Sequence, residues 1–132
     1  MEAKNTIFSY MYRDGSNYKF HGEVVFEGLS DDVVEKKLRG ALSGFDGKGF
    51  IASQVDIPEV FPFPERYGYN EQDDHCWHEF FGLEPTQMDV TDEKHRSISS
   101  LAEEFEKIGP DGWKEFDPDP TTRNQGTSDV HP

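Results

Sequence analysis

One cysteine in 132 residues is too few for an internal disulfide and too few for a zinc site built on several thiolates. A reducing, cytoplasmic setting is the expectation from that count. Long apolar runs are missing as well: nothing approaches the ~18 uninterrupted apolar residues of a membrane-spanning helix. The opening Met-Glu-Ala-Lys-Asn-Thr-Ile-Phe-Ser-Tyr has no apolar stretch between basic flanks and a small-residue cleavage site, so no secretory leader is expected. Basic residues are scarce. Lysine and arginine total 13 against 27 acids, a net charge of −14, and such a chain repels a phosphate backbone instead of releasing its counterions. Nucleic acid is not expected as a direct ligand. Glycine fingerprints for phosphate or dinucleotide binding are also absent, because Gly44, Gly47 and Gly49 are not followed by a Gly-Lys-Ser/Thr ending.

What the chain has is aromatic bulk: eleven Phe, five Tyr and two Trp in a sequence only 33% hydrophobic. A few large rings can fill a small core, and this length suits one domain. Thr6 to Arg13 alternates, with Ile7 and Met11 on one side and Phe8, Tyr10 and Tyr12 on the other, the period of a strand. Asp14-Gly15-Ser16-Asn17 is a turn cluster. From Lys19 to Gly28, Phe20, Val24 and Phe26 share one face while His21, Glu23 and Glu27 take the other, as in a hairpin with one wet side. Ser30 is placed to cap a helix whose Val34, Leu38, Ala41 and Leu42 form an apolar stripe, with Gly44 as its stop. Phe50 to Ile57 alternates as a third strand ended by Pro58, and a fourth is expected over His75 to Leu83, before Pro85. Between them a proline-interrupted loop carries Phe61, Phe63, Tyr67 and Tyr69. Ser97 caps a second helix with Ile98, Leu101, Ala102, Phe105 and Ile108 on one face, and Gly109-Pro110 stops it. Trp113 and Phe116 are expected to fold back onto the body.

The predicted fold is therefore α+β: a single small domain over residues 1–116, with a four-strand, mainly antiparallel sheet, two helices on one face and the order ββαββα. Residues 117–132, rich in Pro, Asp, Thr, Asn, Gln, Gly and Ser, are expected to be a disordered acidic and polar tail. The acidity belongs to the body, since residues 1–116 hold 24 acids and twelve bases.

Chemistry-bearing residues concentrate in Asp73-Asp74-His75-Cys76-Trp77-His78-Glu79-Phe80-Phe81. Imidazole, thiolate and carboxylate are all metal ligands. On a strand, however, His75, Trp77 and Glu79 point one way and Cys76 and His78 the other, so one metal cannot collect both histidines. The nearby acids favour the neutral thiol of Cys76 over a nucleophilic thiolate. No metal and no cofactor are expected, and Trp77 and Phe81 are read as sheet anchors. A second set, Tyr12, Arg13, Asn17, Tyr18 and Lys19 at the hairpin, joins two bases to tyrosines and hydrogen-bonding groups that suit a phosphate or a base.

The third constellation is electrostatic. Residues 71–93 hold eight acids and no lysine or arginine. Glu71, Asp73, Asp74 and Glu79, with Tyr67, Tyr69 and Trp77 as contact anchors, form the expected binding surface of a non-catalytic acidic protein. Its partner is a protein with a basic surface, and an inhibitor occupying a nucleic-acid-binding site is its specific form. The alternative is a small-ligand, nucleotide-like binder using Arg13, Lys19 and the aromatic loop, its pocket completed between subunits if the chain forms a homo-oligomer. A metal- or thiol-dependent enzyme at His75, Cys76 and His78 is the third reading.

Overall fold

A computed structural model describes residues 2–62, 69, 70, 72 and 74–119. Four antiparallel strands, β1 (Asn5–Arg13), β2 (Lys19–Glu27), β3 (Gly49–Phe50) and β4 (His78–Thr86), form one sheet in the order β2-β1-β4-β3. Helices α1 (Asp32–Gly40) and α2 (Ile98–Ile108) pack on one face of it. The architecture is the α+β domain that the residue pattern predicts. The proposed tail from residue 120 onward lies outside the described residues; Asp117 to Asp119 follow the body without regular structure.

The core follows from alternation on β1. Phe8, Tyr10 and Tyr12 are all buried, and Phe8 is the hub, with the rings of Tyr10, Phe26, Phe50, Phe80 and Phe105 at centroid distances of 5.2–6.2 Å. Val34 and Leu38 of α1 and Ile98, Leu101, Ala102 and Phe105 of α2 close the layer. Trp113 returns from beyond α2 and donates its indole N–H to the Ala41 carbonyl at 2.7 Å, which satisfies its one polar atom inside the core. The Tyr10 ring packs against Gly22, where an added Cβ would meet it at 2.6 Å. Its hydroxyl donates to the Pro58 carbonyl at 2.6 Å, and burial pushes its pKa up to about 12.

Several boundaries differ from the sequence expectation. The cap of α1 is Asp31, whose carboxylate accepts the Val34 N–H at 2.8 Å, while the Ser30 N–H is held by Thr6 Oγ at 3.1 Å. The helix ends at Gly40, ahead of Gly44. The third strand is only Gly49–Phe50, and Ala52–Val55 forms a 3₁₀ turn. The buried Arg96 guanidinium takes the carbonyls of Val55 (2.7 Å) and Asp56 (3.1 Å), groups a strand would have needed for its ladder. Arg96 also forms a bidentate pair with buried Asp92 at 2.9 Å, reaches Glu104 at 3.1 Å and lies 5.4 Å from the Phe26 ring centroid. Desolvation works against the Asp92 carboxylate, but its hydrogen bonds from Arg96 outweigh that and leave its pKa below the usual value.

β4 starts at His78 and runs through Pro85, which pairs with Thr6. Proline is tolerated there because β3 covers only the first two residues of β4, leaving the strand an open edge further on. Between Ser9 and Tyr10 the β1–β4 register shifts: Tyr10 faces Phe80, Ser9 faces Gly82, and Phe81 is the extra residue of a bulge. The expected sheet anchor Phe81 is 65% exposed, and its neighbour Phe80 occupies the core. Trp77 is only partly buried against the core.

Candidate functional site

Residues 74–77 precede β4, and side-chain hydrogen bonds to the hairpin order them. Asp74 accepts the Tyr12 hydroxyl at 2.5 Å with one oxygen and the Asn70 N–H at 2.9 Å with the other. Burial and this bond to Asp74 both hold the Tyr12 phenol protonated far beyond its ordinary range. The His75 Nδ1 accepts the Trp77 N–H at 3.1 Å, leaving Nε2 to donate to the Arg13 carbonyl at 2.7 Å. His78 is fully buried and its Nε2 accepts the Val60 N–H at 3.0 Å. Burial first, and the nearby His75 second, push its pKa down to about 3. The imidazole is thus a neutral core group.

Both histidines flank the Tyr12 ring, at centroid distances of 5.0 and 5.7 Å, but backbone groups occupy both ring nitrogens of His75 and the Nε2 of His78, while His78 Nδ1 is buried without a hydrogen-bond partner among the described residues. Cys76 is buried, and burial pushes its thiol pKa up, away from the thiolate. Among the described residues no group of three or more His, Cys, Asp or Glu side chains is placed to hold a metal ion. This stretch fastens the loop before β4 to the hairpin.

The remaining predicted site residues separate in the same way. Tyr67, Glu71 and Asp73 lie outside the described residues, and Tyr69 is half-buried. Glu79 does not line an acidic surface. Its side chain is 6% exposed and pairs with Arg13, whose Nε lies 3.3 Å from its carboxylate. Arg13 also donates to Asn17 Oδ1 at 3.3 Å. Tyr12 and Arg13 are successive strand residues on opposite faces, Tyr12 is buried, and Tyr18 and Lys19 are exposed at the turn. The hairpin set therefore does not converge on one ligand position.

A different surface does assemble. On the sheet face away from the helices Asn5, Met11, Val25 and Glu79 are buried, and a groove of about 760 Å³ opens across the middle. Ser9 and Gly82, paired across β1 and β4, leave it without side-chain bulk. Glu23 and Glu84 flank it, and Phe81 stands beside His21 with ring centroids 6.0 Å apart. No lysine or arginine lines it. The outward position of His21 and Glu23 is readable in the alternation of β2. That of Phe81 is not, because alternation on β4 does not by itself say which of its two faces is the core one.

No family model, curated protein or solved structure matches this chain. Its function must be argued from its own surfaces. Among the described residues no helix is long and apolar enough to cross a membrane.

Proposed function

We propose that this chain is a non-catalytic acidic binding domain that docks a basic surface of a partner protein, and that it does so through the open face of its sheet. The observation that carries the reading is the groove between Glu23 and Glu84, with Phe81 projecting at its side and no cation of its own lining it. Two exposed carboxylates offer charge-assisted hydrogen bonds to an incoming arginine or lysine. The Phe81 ring supplies the apolar and cation–π contact that an arginine prefers. The net charge of −14 adds long-range attraction to a basic partner and repels polyanions. A partner whose basic surface itself binds nucleic acid would have that surface occupied, and the domain would act as a competitive inhibitor. The single buried thiol suits a reducing cytoplasm.

A fluorescently labelled arginine-rich peptide, with an acidic peptide of the same length as control, tests the reading by titration at low and high ionic strength. The expected result is salt-sensitive binding of the basic peptide alone, weakened at least about tenfold by Glu84→Lys and by Phe81→Ser, each loss corresponding to about 1.4 kcal/mol. Binding that is indifferent to both substitutions would mean diffuse attraction to a negative chain, and would sink the groove as the docking site.

A further inference from the structure

β2 is an outer strand of the sheet, and only half of its free edge is covered. The Val25 N–H donates to Thr91 Oγ at 2.8 Å, and the Val25 carbonyl accepts the N–H groups of Thr91 and Asp92 at 3.0 and 3.1 Å. The Glu27 N–H donates to the Arg96 carbonyl at 3.1 Å. The odd-numbered residues of β2 therefore aim their backbone groups away from β1. Because the β1–β2 register runs without a shift from Asn5–Glu27 to Arg13–Lys19, Lys19, His21 and Glu23 aim theirs outward too. The strap formed by residues 91–97 does not reach them, and no backbone or side-chain group among the described residues bonds these outward N–H and C=O groups. An edge of this kind is a template for another strand.

We propose that this open stretch of β2 pairs antiparallel with the same stretch of a second copy of the chain, making a two-fold dimer whose sheet runs through both subunits. The inference does not rest on the docking groove, although it engages Glu23 and His21, which also line that groove. Charge complementarity selects both the partner and the register. With the axis at His21, Lys19 of each copy lies directly opposite Glu23 of the other, on the same face of the sheet, and the dyad repeats the pair. All the free groups of the stretch are used, and Val25 falls opposite Asn17 of the second copy, already in its turn, so the strap meets no continuing strand. Sliding by two residues in one direction sets Lys19 against Val25, whose N–H and carbonyl are taken. Sliding the other way sets His21 against Lys19 and leaves Glu23 facing the turn. Only the first register is self-complementary. Two chains of charge −14 repel at long range, so the dimer is weak and gains from moderate salt, opposite to the salt response of peptide docking.

Sedimentation equilibrium of the full chain, taken to about 1 mM, the limit of weak association, is the test. The expected result is a reversible monomer–dimer equilibrium. His21→Pro removes an outward N–H that nothing inside the described chain accepts, at a position where an edge strand tolerates proline, and should leave a folded monomer. Lys19→Glu and Glu23→Lys each set like charges opposite one another and should weaken the dimer at least about tenfold, while the double variant, with the pair reversed, should restore it. A chain that stays monomeric throughout would overturn the proposal. So would a dimer that ignores His21→Pro, or charge reversals whose effects merely add in the double variant.

Discussion

The two faces of the sheet are made by the same strands and obey opposite rules. On the helix side Phe8, Tyr10, Phe26 and Phe80 are buried, and the Tyr10 hydroxyl and the Trp113 indole that enter it each have a carbonyl to bond. On the other side the same strands present Ser9, His21, Glu23, Gly82 and Glu84 around an open groove. Most of the large buried rings lie on one face, and the middle of the other carries charge, small residues and an exposed ring. Stability and recognition are thus separable here, and substitutions should sort by face.

The largest effect belongs to the hub of the covered face. Phe8→Ala removes a ring in contact distance of five others and should cost about 3–5 kcal/mol, the range for a fully buried phenylalanine. Urea denaturation measures it. A loss under about 1 kcal/mol would mean that the stacked rings do not bear the fold.

His78 gives the covered face a pH dependence. Its folded pKa, pushed down to about 3 by burial and by His75, lies below the ~6.5 of an unfolded histidine. Between those values the unfolded chain binds the extra proton, so stability falls as pH falls. The contribution is complete above about pH 6.5 and should shrink by about 2–3 kcal/mol by about pH 4.5. Asp92, held below the ordinary carboxylate range, loses its contribution only at more acid pH, which keeps the two effects apart. Denaturant midpoints of the wild type and His78→Asn, compared at pH 7 and 4.5, check this. The substitution should remove most of the slope, and an equal slope in both proteins would refute the assignment.

How far this division was legible in the residues depended on whether the deciding force was local. Alternation alone places Phe8, Tyr10 and Tyr12 inward and His21 and Glu23 outward. Ser97 and Gly109 bound α2 through capping chemistry contained in neighbouring residues. Phe50 to Ile57 alternates equally well, yet most of it is not a strand. The deciding contacts come from Arg96, some forty positions away in sequence, and no local pattern encodes them. The chemistry of the residues before β4 was hard to read for a related reason. Asp73 to Phe81 is dense in ligand-type side chains, but a residue type shows what a group can do and not which backbone atom has already claimed it. His75 and His78 spend ring nitrogens on the hairpin and on Val60. Glu79 spends its carboxylate on Arg13.

The smallest expected change in stability is also the sharpest test of the contrast. Phe80 and Phe81 are adjacent and chemically identical, and strand alternation sends one into the core and the other into solvent. Alternation by period two cannot rank them, which is why Phe81 reads as an anchor until the register is known. Phe81→Ser deletes a ring whose surface is mostly in water and should shift stability by no more than about 0.5 kcal/mol, against a loss of about 3–5 kcal/mol for Phe80→Ala. The same Phe81→Ser should lose peptide binding while Phe80→Ala, wherever it remains folded, should keep it. A Phe81 variant that unfolds the domain would place this ring in the structural half of the sheet. The groove would then lose its apolar contact, and only Glu23 and Glu84 would remain to recognise a basic partner.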